Sequence, residues 1–186
     1  MTPLLPTRRM LLLALAASLA GGHATAAEDD SIVEYQVKAA FVCKFGNYVD
    51  WPPQTLGSGE PWRVGVLGSE VVVDEFRRMA ASASVGGRPV EVRRLARGEL
   101  PDGMQAVFVS RAMAGQAPAL IAALAGRPVL TITELDPGGS TGMINFVVVD
   151  DRVRFDILLP PAVQSGLKIS VRLLGVARRV EGRQGL

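Results

Sequence analysis

The chain has 186 residues, 48% of them hydrophobic and 20% charged, with a formal net charge of +2. That length and apolar content suit one domain with a core of its own, and the near balance of charge excludes a nucleic-acid or anionic-membrane electrostatic surface. A single histidine and a single cysteine leave almost no material for imidazole catalysis or metal ligation, and none for an intrachain disulfide.

At the N-terminus Arg8 and Arg9 precede the apolar run Met10 to Ala20 and the small-residue site Ala24-Thr25-Ala26. A basic region, a short apolar stretch and an A-x-A site predict a signal peptide over residues 1–26, cleaved after Ala26 or Ala27. The run is too short to stay behind as a membrane anchor. Residues 27–186 are then a single exported domain. The cleaved segment would take with it the two arginines behind the +2 balance, and His23, the only histidine. No imidazole would remain as base, ligand or pH switch.

Ser31 is placed to cap a helix running to about Tyr48, with Val33, Val37, Phe41 and Phe45 forming one apolar stripe. Cys43 lies within it as a small buried hydrophobe, with an intermolecular bridge as the alternative. Pro52 and Pro53 end the helix. Phe45, Tyr48 and Trp51 then read in two ways: as packing that pins the chain to the core, or as an aromatic ligand box. The first needs no ligand, whereas the second rests on the enrichment of Trp and Tyr at partner surfaces.

Strands are predicted at Trp62–Leu67, Pro89–Leu95, Ala106–Ser110 and Pro128–Thr133, and helices at Glu70–Ala83 and Gln116–Ala125. Ile144, Phe146 and Val148 share one face of a strand, as do Val153, Phe155, Ile157 and Leu159, and Asp150-Asp151 makes a two-residue hairpin turn between them. The stretch after Pro160-Pro161 is ambiguous. Lys168 to Leu173 alternates like a strand, whereas Leu167, Val171 and Leu174 fit a helix, which the length and the proline start favour. The alternation of elements predicts an α/β three-layer sandwich: a mixed, mostly parallel sheet of about six strands, a β-hairpin in the C-terminal half and flanking helices.

No catalytic constellation is complete. Gly65-x-x-Gly68 lacks the third glycine of a dinucleotide fingerprint, and Gly138, Gly139 and Gly142 precede no lysine of a phosphate loop. Gly138 to Gly142 spells G-x-S-x-G, but no histidine remains for a triad, and Ser165 to Lys168 spells S-x-x-K without the S-D-N and K-T-G elements that accompany it. The chain is therefore expected to be no enzyme, with no cofactor and no metal. If a small ligand binds, open α/β sheets place it at the strand C-termini, here near Gly68 and Ser110.

The segments EYQVKAAFVCKFGNYVDWP, WRVGVLG, GRPVEVRRL, VFVS, PVLTITE and GGSTGMINFVVVDDRVRFDILLPPAVQSGLKISVRLLGVA together resemble, in that order, the YfiR family of exported bacterial proteins. The resemblance implies a periplasmic α/β sandwich that dimerises, with a helical last segment. It also implies a regulatory function. YfiR holds the periplasmic sensor region of an inner-membrane diguanylate cyclase, YfiN, inactive, which lowers cyclic di-GMP and biofilm formation. Some members carry intrachain disulfides, and this chain, with one cysteine, departs from them. The reading is a periplasmic, non-enzymatic repressor of a YfiN-like cyclase or other membrane sensor. Its rival is a periplasmic small-molecule-binding module feeding a sensor or transporter. Candidate binding residues are Tyr48, Trp51, Gly68 and Ser110.

Overall fold

The computed structural model describes residues 22–136 and 141–182, with side chains from residue 31 onward. The elements in order are α1 (Gly22–Gly46), β1 (Val49–Asp50), β2 (Trp62–Leu67), α2 (Glu70–Ala80), β3 (Ser84–Val85), β4 (Arg88–Arg94), β5 (Ala106–Val109), α3 (Ala117–Ala123), β6 (Leu130–Thr133), β7 (Ile144–Val149), β8 (Arg152–Leu158), α4 (Leu159–Gln164), β9 (Lys168–Ile169), α5 (Val171–Val176) and β10 (Arg179–Glu181). Short 3-10 turns occupy Pro53–Thr55 and Arg111–Gln116.

The main sheet has eight strands in the order β10-β8-β7-β6-β5-β2-β4-β3. From β4 through β7 every neighbour is parallel, whereas β7 with β8 and β3 with β4 are antiparallel. This is the mixed, mostly parallel α/β sheet expected, with two more strands than the sequence reading counted. The extra strands are short: β3 closes on β4 through the positive-φ pair Gly86-Gly87, and β10 runs parallel to β8 at one edge.

Alternation along the central strands builds two cores. Val64 and Val66 of β2, with Ala106 and Phe108 of β5, pack with α1 and α2, whereas Leu67, Val107 and Val109 pack with Ala117, Leu120 and Leu124 around α3. Gly65 faces this second core without a side chain, since a Cβ there would lie 2.5 Å from Met104 Sδ. Gly142 is likewise required by close approach, because its Cβ would meet the Thr131 carbonyl oxygen at 2.5 Å.

The stripe expected on α1 is corrected. Phe45 is buried and Phe41 half-buried, but Val33 is 56% exposed and Val37 38%. Steps of four residues drift by about 40° each on a helix of 3.6 residues per turn, so a series of such steps leaves its face. The buried set is Tyr35, Lys38, Ala39, Val42, Cys43, Phe45 and Gly46, a face recurring at spacings of three and four. Ser31 also proves to be inside α1, not at its cap; the alanines around it favour helix and carry the element back to Gly22.

The hairpin forms as expected. Asp150 and Asp151 both take positive φ, 50° and 55°, as a type I′ turn requires, and Val149 faces Arg152. The helical last segment is corrected. Pro160 and Pro161 do start α4, but Gly166 at φ 71° ends it, β9 pairs with β1, and Ser170 then caps α5 through the Leu173 N–H. Helix and strand periodicity were both present because both elements are. Gly138 and Gly139 lie outside the described residues.

Candidate functional site

The four candidate residues fall into two pairs at opposite ends of β2. Its six residues separate them by about 20 Å, so they form no common site.

At the C-terminal end, strand order reverses between β2 and β5, because the chain passes from β2 to β4 on one side and then to β5 on the other. Gly68 and Ser110 follow these two strands and touch: a Cβ on Gly68 would lie 3.3 Å from Ser110 Oγ, and the Ser110 N–H donates to the Leu67 carbonyl at 2.9 Å. Ser110 is fully buried and its hydroxyl has no hydrogen-bond partner. Here an open sheet ordinarily leaves a crevice, and beside it, from Arg111 onward, lies a buried charged group.

The group centres on Glu134, directly after β6, and Lys38, from α1, both buried. Lys38 Nζ donates to Glu134 and also to Glu34, one turn before it on α1. Glu134 Oε1 accepts from the Tyr35 hydroxyl and from the Arg111 backbone N–H, each at 2.8 Å. The Arg111 guanidinium covers the group from outside, 2.6 Å from Glu34 Oε1 and 3.4 Å from Glu134 Oε2. Two acids thus face two bases, and every polar neighbour of Glu134 donates to it. Such completeness is what makes a buried pair tolerable. Burial, and then the Glu134 charge and hydrogen bond, push the Tyr35 phenol far above its ordinary value. For Arg111, burial works against the charge but Glu134 and Glu34 outweigh it, raising its pKa. Nothing in this arrangement is a free base or nucleophile. Among the described residues, no group of three or more His, Cys, Asp or Glu could hold a metal.

At the N-terminal end the aromatic stretch packs on the core. Trp51 stands edge-on to Trp62 with ring centroids 5.9 Å apart, and Phe41 and Phe45 meet Phe146 and Phe155 at 4.9 to 6.1 Å. Tyr48 does not fold inward; it is 37% exposed. Its carbonyl accepts the Ser170 N–H at 2.9 Å, which fixes it beside the start of α5. On the C-terminal segment Val163, Val171 and Val176 are 70%, 71% and 68% exposed. Sequence reading missed these, because short helices of mixed periodicity do not reveal which side faces water. It also missed the Lys38–Glu134 pair, although Lys38 stands in phase with Tyr35, Ala39 and Val42, where a charge is out of place without a partner.

A family model described as YfiR/HmsC-like matches residues 35–178. The chain belongs to this family. Its members are periplasmic regulators of cyclic di-GMP signalling, regulatory rather than catalytic. No curated protein matches the chain. The match begins at Tyr35, inside α1, and ends at Arg178, so it takes in Lys38, Glu134, the aromatic helix end and the C-terminal valines. Among the described residues no helix is long and apolar enough to cross a membrane.

Proposed function

We propose that this YfiR-like protein is a non-enzymatic repressor: it binds the periplasmic sensor region of an inner-membrane signalling protein, a YfiN-like diguanylate cyclase, and holds it inactive. Cyclic di-GMP and biofilm formation fall as a result. The observation that carries the reading is a contrast. The buried charges at the strand ends, Lys38 and Glu134, are spent on each other, whereas apolar side chains at Val163, Val171 and Val176 lie in solvent on the C-terminal segment that Ser170 ties to Tyr48. Exposed apolar groups of this kind mark surfaces that meet another protein.

Repression needs only unequal affinity for two partner conformations, about 1.4 kcal/mol for each tenfold shift in their ratio. In this proposal the chain is exported after loss of residues 1–26 and acts as a homodimer, with Tyr48 in the partner surface and Trp51 as its support. Gly68 and Ser110 then serve packing and not ligand binding. Deleting the gene is expected to raise cyclic di-GMP, and unchanged levels would contradict the repressor reading. The mature chain used as bait on solubilised inner membrane should retain a cyclase.

A further inference from the structure

β7 is paired with β8 along its whole length, from Ile144↔Ile157 to Val149↔Arg152, but with β6 only at Ile132↔Ile144 and Thr133↔Asn145. The β6 ladder stops where the Asn145 side chain takes the place of a strand. Its Oδ1 accepts the Leu135 N–H at 2.9 Å and its Nδ2 donates to the Leu135 carbonyl at 2.9 Å. The Thr133 hydroxyl, 2.7 Å from Oδ1, holds the amide in place. In a continuing parallel ladder that Leu135 N–H would go to the Phe146 carbonyl. Among the described residues the Phe146 carbonyl is therefore left over. So are the N–H and C=O of Val148, which in this hairpin register turn away from β8. Among the described residues no strand lies beside them.

A groove of about 460 Å³ follows this edge, between Leu135–Asp136 and Val147–Val149, with Arg111 and Arg178 in its wall. Glu134 also lines it, but its carboxylate is already held by Lys38, Tyr35 and Arg111. A second hollow of about 390 Å³ adjoins it, formed by Val149, Asp150, Arg152, Arg154 and Arg178. Arg152 and Arg154 are exposed, and no ion pair engages either among the described residues. They lie directly opposite Val149 and Val147 and so share a face with them, whereas Val148, 47% exposed, is on the other face with Phe146.

We propose that the β7 edge is a docking site for an extended, acidic segment of a partner protein, which adds a strand beside β7. Main-chain hydrogen bonds to Phe146 and Val148 supply the pairing, and alternate side chains supply selectivity. Acidic residues of the segment fall on the face of Arg152 and Arg154, Arg178 being already paired with Asp156, and apolar ones fall between them, beside Val148. The surface is distinct from the α4–α5 valines, and the proposal stands whether or not the partner is a cyclase.

The test uses a capped hexapeptide of alternating glutamate and valine, its lysine-for-glutamate counterpart, and amide exchange of the full mature chain followed by NMR. The acidic peptide is expected to slow exchange at the Val148 N–H about tenfold or more at saturation. The lysine peptide and the double variant Arg152→Glu, Arg154→Glu should each weaken binding about tenfold or more. Val148→Pro removes an N–H that the β8 ladder does not use, and should abolish binding while the fold persists. Equal binding of the two peptides, protection elsewhere but not at Val148, or no binding at millimolar acidic peptide would each overturn the proposal. Should the proline variant fail to fold, the arginine variant decides.

Discussion

The middle of α1 and its C-terminal end are fastened to the same sheet by opposite means. Near Tyr35 and Lys38 the helix is held by a buried ionic group centred on Glu134; near Phe45 it is held by stacked rings from Phe41, Phe146 and Phe155. Ring packing tolerates the loss of one member, because each contact is a small share of a large area. The ionic group does not, because a charge left behind has no water to turn to. The comparison explains how a fully buried lysine can exist in a core helix, and it identifies the less forgiving attachment.

The largest expected effect follows from removing Glu134. Glu134→Leu leaves Lys38 with Glu34 alone and takes the acceptor from the Tyr35 hydroxyl and the Arg111 N–H, and should cost about 3 kcal/mol in urea unfolding. Adding Lys38→Met should restore most of it, giving strong non-additivity. Phe45→Leu, among the rings, should cost about 1–2 kcal/mol and add simply to Glu134→Leu, since Phe45 lies about 10 Å along α1 from Lys38, the partner of Glu134. Additive behaviour of Lys38→Met with Glu134→Leu would remove the contrast.

Smaller effects sharpen it. Burial pushes the Cys43 thiol up to about 11, so alkylation at pH 8 should run about a hundredfold slower than for an unperturbed thiol and quicken about tenfold per pH unit below 11. The sign for stability follows from the same direction. Cys43 and Tyr35 both keep their protons longer in the folded state than in the unfolded one. Their contribution is whole below the unfolded values and is lost as pH rises through the folded ones. Stability should therefore decline from about pH 9 upward, and less steeply in Cys43→Ala. Smallest of all, Val171→Asp should leave the melting temperature nearly unchanged, since its side chain lies in water.

Much of the architecture was legible in residue patterns. Apolar runs bounded by glycine or proline located β2, β5 and β6, and alternation with an Asp-Asp turn located the β7–β8 hairpin. The failures share a cause: they needed a partner distant in sequence. The buried face of α1 depends on Glu134, nearly a hundred residues away. The division of the C-terminal stretch depends on β9 finding β1. Gly68 and Ser110 follow β2 and β5 as the strand pattern implied, but the burial of Lys38 against Glu134 was visible only as a charge standing in an apolar phase. Tyr48 and Trp51, adjacent in the same motif, separate into an exposed ring and a packed one because β1 turns between them.

The central claim is that this protein works through its surface on a membrane partner and not through a reaction. The most direct measurement is cyclic di-GMP in the deletion strain complemented with either the wild-type chain or Val171→Asp, Val176→Asp at matched periplasmic levels. Wild type should return the nucleotide to its low level and the variant should not; full rescue by the variant would contradict the account.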